Sequence, residues 1–188
     1  MTQVGVARHS AAAAVLGIAG MSAGDDDFEP RGRWNLWRIS GRGCPLSAGE
    51  RRACQTGAFE QFRTVLEAER PDVVFTHWPI DNHADHRAIS MLVYDAWLRM
   101  KKSFALYFYE VSNGSDTVQF TPTHYVDISA LIDRKRAACY AHASQTPDRF
   151  YALQEAVTRM RGIERGTSQA EGFIRHVQSP DFALPLVS

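Results

Sequence analysis

The sequence predicts an α/β domain built on a mostly parallel sheet. Three observations carry that expectation. Ala58 to Arg70 places Phe59, Phe62, Val65 and Leu66 on one helical face and stops at Pro71. "DVVFTH" follows at once, a short β-branched run bounded by Pro71 and Pro79. From Arg87 to Met100, Ile89, Leu92, Val93, Ala96 and Trp97 recur at helical spacing. Helix, strand and helix in that order form the repeating unit of a parallel sheet.

The remaining elements follow from local pattern. The opening "MTQVGVARHSAAAAVLGIAGMSAG" has two readings. One is a first strand of small apolar residues, Val15 to Ala23, ending in a polar turn. The other is a secretory signal, with Arg8 ahead of an apolar run and "MSAG" near a cleavage point. Arg31 to Gly57 mixes Arg, Gly, Trp and Cys without a sustained period, so residues 30–57 are expected to be irregular, with Trp34, Leu36, Trp37 and Ile39 packing locally. That bias also suits a shifted reading frame, which translating the coding DNA in its other frames would reveal. "SFALYFYEV" reads as a strand with Tyr107 and Tyr109 on one face, and Glu110 at its end approaches the cleft. "VQFTPTHYVDIS" reads as a second extended run. "ALIDRKRAACYAHAS" reads as a helix with Arg134, Lys135 and Arg136 on a solvated face and Cys139 buried and inert. "DRFYALQEAVTRMRG" reads as another helix, capped by Asp148 and stopped by Gly162, and "SQAEGFIRHVQ" as a short last one.

Totals narrow the function classes. With 188 residues the chain is expected to form a single domain, 1–188, large enough to bury a core. A formal net charge of +0 without a basic block gives no footprint for nucleic acid or an anionic membrane. No apolar stretch has the length of a bilayer span. Cys44, Cys54 and Cys139 are odd in number and far apart, which suits a reducing compartment and argues against a disulfide framework. A cytoplasmic location is expected, or a secreted one if residues 1–23 act as a signal. Association between chains is left open.

The chemistry concentrates in "THWPIDNHADHRAIS", Thr76 to Ser90, between the strand and the second helix. Open α/β sheets bind ligands outside the carboxyl ends of their strands, so the cluster lies where such a fold keeps its site. Imidazoles and carboxylates are the usual ligands of a catalytic divalent ion, and zinc commonly takes three of them and a water. Such an ion brings the pKa of its water towards about 7 and polarises a carbonyl. His83, Asp85 and His86 suit those positions. On spacing alone, they also suit a polar loop that caps the following helix. His77, at the strand end, reads as a partner of the loop before a ligand. His124 and His176 read as structural or surface residues.

"ERPDVVFTHWPIDNHADHRAISMLVYDAW", "THYVDIS…RKRAACYAHASQTPDRFY" and "RGIERG…AEGFIRHVQSP" resemble the LmbE/PIG-L family of metal-dependent N-deacetylases, over nearly all of Ala58 to Pro180. The resemblance implies a Rossmann-like three-layer α/β sandwich and the zinc-dependent removal of N-acetyl groups from amino sugars, chiefly glucosamine derivatives, or from related small amides. A metal-held water would attack the acetyl carbonyl. Zn2+ or another divalent transition metal is the implied cofactor. A small N-acetylated sugar or amide is the implied partner. His86 takes the place of the zinc-binding histidine. His83 takes that of the protonated acid or oxyanion stabiliser, and Asp85 that of the aspartate orienting it. His142 resembles a position near the rim of the site, for contact with the substrate or with the side chains that hold the site residues, and helix packing is its other reading.

The chain departs from the family at the amino end. The family's "AHPDDE"-type motif after the first strand is matched only by "SAGDDDFEP", Ser22 to Pro30. Gly24 stands at the histidine ligand, Asp26 at the general base and Asp27 at the second ligand. The stretch from Glu29 to Phe59 is too short for the elements the family usually places there, so the amino-terminal part is expected to be truncated or rearranged. These departures keep a second expectation open: a relative that retains the fold and binds a sugar or a protein without catalysis. "GDDD" then reads as a solvated acidic turn.

Overall fold

The computed structural model describes residues 13–15, 34–36, 56–111, 113–141 and 147–182, the first two stretches by backbone alone. The elements are β1 (Ala13–Val15), β2 (Trp34–Leu36), α1 (Thr56–Glu69), β3 (Val73–His77), α2 (Ala84–Arg99), β4 (Ala105–Tyr109), β5 (His124–Asp127), a 3-10 turn (Ser129–Leu131), α3 (Ile132–Tyr140), α4 (Pro147–Arg165) and β6 (Ala170–Arg175). The strands form one sheet in the order β2-β1-β3-β4-β6-β5. β2, β1, β3 and β4 are parallel neighbours, while β6 runs antiparallel to both β4 and β5. This is the α/β, Rossmann-like fold the sequence predicts.

Strand alternation separates two cores. Val74, Leu106 and Phe108 point to one face, where they meet Phe62 and Leu66 of α1 and Ile89, Leu92, Val93 and Trp97 of α2. Val73, Ala105 and Tyr107 point to the other, with Phe75, Phe173 and Phe182. Among the described residues the largest fully buried side chain is Trp97, and its indole N–H donates to the Phe104 carbonyl at 2.9 Å. That bond fastens the end of α2 to the start of β4.

The connections are short and chemically specified. α1 ends at Arg70, a left-handed residue (φ 46°) whose N–H returns to the Leu66 carbonyl at 2.9 Å, and Pro71 prevents its continuation. α2 ends in two left-handed lysines, Lys101 and Lys102, whose N–H groups close on Leu98 and Trp97. Both helices therefore hand the chain straight into a sheet strand, which fixes the depth at which β3 and β4 end.

β1 spans Ala13–Val15, and residues 16–23 of the expected Val15–Ala23 strand lie outside the described residues. Four expectations need correction. Within the stretch expected to be irregular, Trp34–Leu36 forms an edge strand, since pairing with β1 substitutes for a local period. Gly162 does not stop α4. It lies inside the helix, where an added Cβ would stand 2.7 Å from the Ser168 carbonyl oxygen, so glycine permits a close backbone approach. The stop is Gly166 (φ +82°), whose N–H and that of Thr167 both return to the Gly162 carbonyl at 2.8 Å. The last expected helix is β6: Ala170–Phe173 pair with β5 and Phe173–Arg175 with β4, and these ladder bonds outweigh a weak helical pattern. Cys139 is half-exposed rather than buried.

Candidate functional site

Strand order alone marks a position. β1 pairs with β2 on one side and β3 on the other, all parallel, so the sheet extends from β1 in both directions. A crevice at the carboxyl ends of such strands is where open α/β sheets hold ligands. β3 ends there at His77, and the loop to α2 carries the histidine motif.

Asp81 organises that loop. Its side chain is 0% exposed. Oδ1 accepts the His83 backbone N–H at 2.8 Å, a two-residue Asx turn, and contacts His86 Nδ1 at 3.0 Å. Oδ2 accepts the Thr117 hydroxyl at 2.8 Å. The Asp81 carbonyl takes the Arg87 guanidinium at 2.7 Å. Three donors on one buried carboxylate make a satisfied acceptor hub rather than a stranded charge.

The hub assigns opposite tautomers to the two motif histidines. An ionised carboxylate only accepts, so His86 donates through Nδ1 and its Nε2 keeps the lone pair. His83 is the N-cap of α2, and its Nδ1 accepts the Asp85 backbone N–H at 3.3 Å. Its neutral ring therefore carries hydrogen on Nε2. The rings lie 4.5 Å apart between centroids; His86 is buried and His83 exposed. One ring is a prepared acceptor, the other a prepared donor. Asp85 reaches His83 through its backbone, and as an acid in the first turn of α2 it complements the helix dipole.

His77 completes a column of three imidazoles. Its ring stacks on His86 at 4.0 Å and 7°. Nε2 meets the Tyr109 hydroxyl at 3.1 Å, while the buried Nδ1 has no partner among the described residues. Burial, then the neighbouring His86, pulls the His77 pKa down to about 3 against the attraction of Asp81. Tyr109 is pushed up, first by burial and then by Asp81. A neutral His77 can lie flat on His86 without charge repulsion. The two rotations of the His86 ring are thus limited separately: Asp81 holds it in its plane, and His77 supports its face.

Other expected residues are placed elsewhere. Asp26, Asp27, Gly24 and His142 lie outside the described residues. His124 is exposed on β5, edge-on to Tyr107 at 5.7 Å, and His176 packs 4.4 Å from Trp97. The Tyr107 hydroxyl donates to the Phe182 carbonyl at 3.0 Å. Glu110 is taken by Arg161, which donates to both its oxygens at 2.7 Å. Sequence reasoning misses Asp81 and Thr117, and it reads Tyr109 only as a strand residue. Asp81 has a usable signal, an aspartate two residues before His83 in a proline-flanked turn. Thr117 lies 36 residues from Asp81 and has none.

The donor chemistry fits a metal in part. An imidazole whose Nδ1–H is held by a carboxylate and whose Nε2 is free is the usual form of a histidine ligand. Among the described residues, however, no group of three or more His, Cys, Asp or Glu side chains is arranged to hold a metal ion. The described part of the chain thus offers one prepared ligand, His86.

Three solved structures share this fold. The conserved protein TT1542 from Thermus thermophilus has a TM-score of 0.55 at 28% identity, over 70% of this chain and 63% of that one. GalB, the 4-carboxy-2-hydroxymuconate hydratase from Pseudomonas putida, has 0.56 at 17%, over 70% and 62%. The N,N'-diacetylchitobiose deacetylase from Pyrococcus horikoshii has 0.53 at 21%, over 65% and 52%. The chain thus shares its fold with a deacetylase. It spans only 52% to 63% of the length of these structures. No family model and no curated protein matches it. A hydratase and a deacetylase on one fold mean that the site, not the fold, must decide the chemistry. Among the described residues, no helix is long and apolar enough to cross a membrane.

Proposed function

We propose that the chain is a metal-dependent hydrolase that removes N-acetyl groups from amino sugars or related small amides. The observation that carries this reading is the paired histidine geometry: His86 has its Nδ1 on buried Asp81, and His83 presents Nε2–H beside it at the carboxyl end of a parallel strand. The fold shared with a chitobiose deacetylase supports the substrate class.

In this reading His86 and Asp27 would hold the ion, zinc or another divalent transition metal. When bound, it would supply Lewis acidity, acidifying water and polarising the acetyl carbonyl. Asp26 takes the proton of the attacking water. The exposed His83 ring, fixed at the start of α2 by the Asp85 N–H, donates a hydrogen bond from Nε2 to the developing oxyanion, and Asp26 passes the proton taken from the water to the departing amine. Asp81 and His77 keep the His86 ring in place throughout.

One observation favours a second reading, a fold-retaining module that binds a sugar or a protein without catalysis: Gly24, with no side chain, stands where the related motif has a histidine. Zinc content and acetate release from N-acetylglucosamine derivatives separate the two. The hydrolase reading expects zinc in the wild type, loss of zinc and activity in His86→Ala, and retained zinc with activity lowered about 10²–10⁴-fold in His83→Ala. Zinc-free, inactive wild type together with a Gly24→His variant that regains both would establish the second reading.

A further inference from the structure

Asp81 comes from the histidine loop, but its outer oxygen is held from a different part of the chain. The stretch after β4 folds back along residues 80–82. The Asn82 N–H donates to the Asp116 carbonyl at 2.8 Å, and the Val118 N–H to that of Ile80 at 3.2 Å. The Asn82 side-chain amide donates to the Ser115 carbonyl at 2.8 Å. Asp81 and Thr117 face each other as an antiparallel bridge. Thr117 is fully buried; its hydroxyl accepts the Val111 N–H at 2.8 Å and donates to Asp81 Oδ2 at 2.8 Å.

We propose that Thr117 is a positioning residue that sets the orientation of the His86 ring through Asp81. The loop after β4 thereby becomes part of the site. The meaning of this for metal binding rests on the reading of His86 as a ligand. Oδ1 of Asp81 serves both the His83 N–H and His86 Nδ1. A carboxylate held through one oxygen alone can swing about its terminal torsion, which is broad for aspartate. The Thr117 bond engages the other oxygen and removes that freedom. The direction of the bond is settled because an ionised carboxylate cannot donate. The Val111 N–H fills an acceptor position on the hydroxyl and holds it in turn.

The test uses the full chain with Thr117→Val, which keeps shape without the hydroxyl, and Thr117→Ser, which keeps the hydroxyl. Two quantities are read: zinc affinity by competition with a chromophoric chelator, and the His86 Nδ1–H proton in metal-free protein by nitrogen-15 NMR, assigned by its loss in His86→Ala. The valine variant should bind zinc about 10–100-fold more weakly and its Nδ1–H signal should broaden or vanish through exchange. The serine variant should restore both. A valine variant with unchanged affinity and an unchanged Nδ1–H signal overturns the proposal, as does a serine variant that restores neither. Should the valine variant not fold, Thr117→Cys, a weak donor of similar size, is read by the same criteria. A wild type without zinc overturns the metal reading alone, because the Nδ1–H comparison needs no metal.

Discussion

Acidification should destabilise this chain through His77, beyond what its carboxylates account for. His77 is 2% exposed, and burial, followed by the charge of His86, lowers its pKa from 6.5 to about 3. Between those values the unfolded chain binds the proton and the folded chain does not. The stability is therefore complete above pH 6.5 and falls as the pH drops towards 3. Each unit costs about 1.4 kcal/mol. From about pH 6.5 to about pH 4.5, roughly two units, the loss is about 2.7 kcal/mol, a large share of the ~5–15 kcal/mol typical of a folded domain. The assay is urea unfolding at about pH 7 and about pH 4.5 with a chelator present, on wild type and His77→Phe. Phenylalanine keeps a ring against His86 and cannot take a proton. It also removes the Tyr109 bond, at a cost equal at both pH values. The wild type should lose about 2.7 kcal/mol more than the variant between the two conditions. Parallel losses would refute the reasoning, because they would mean that His77 is not held neutral in the fold.

Three further outcomes follow from the packing. Arg161→Met should cost about 3–5 kcal/mol, because it leaves Glu110, 7% exposed, without its bidentate partner; Glu110→Leu with Arg161→Met should recover most of that, which a double-mutant cycle in denaturant measures. Gly162→Ala should lower the melting temperature, since its Cβ would meet the Ser168 backbone at 2.7 Å, whereas Gly57→Ala, with none of the described residues within 4 Å, should stabilise by about 0.4–1 kcal/mol. Trp97→Phe should cost about 1–3 kcal/mol by leaving the buried Phe104 carbonyl without its donor, visible as a lower urea midpoint at unchanged slope.

Much of this molecule was legible as a string because the relevant forces are local. The amphipathic face of α1, the stop at Pro71, the β-branched run of β3 and the spacing of Leu92, Val93, Ala96 and Trp97 in α2 each lie within one or two turns of chain. So does the histidine cluster, whose place between a strand and a helix follows from their order. His83 and His86 are brought together because three residues span nearly one helical turn, and Asp81 closes its turn on His83 over two residues.

Contacts between distant segments decided the rest. β6 reads weakly as a helix in isolation and becomes a strand because β4 and β5 offer it partners on both edges. The three-residue β2 has no period to detect, and its pairing with β1 defines it. His77 reads as an ordinary loop partner; only burial beside His86 and Tyr109 makes it a neutral support. Thr117 reaches Asp81 across 36 residues. Backbone pairing and burial depend on which surfaces meet, and that choice is made by the whole chain closing on itself, so no window of sequence contains it. What the chain wrote locally is a histidine pair at the end of a strand. What folding added is the buried acceptor, the stacked ring and the threonine that hold that pair still.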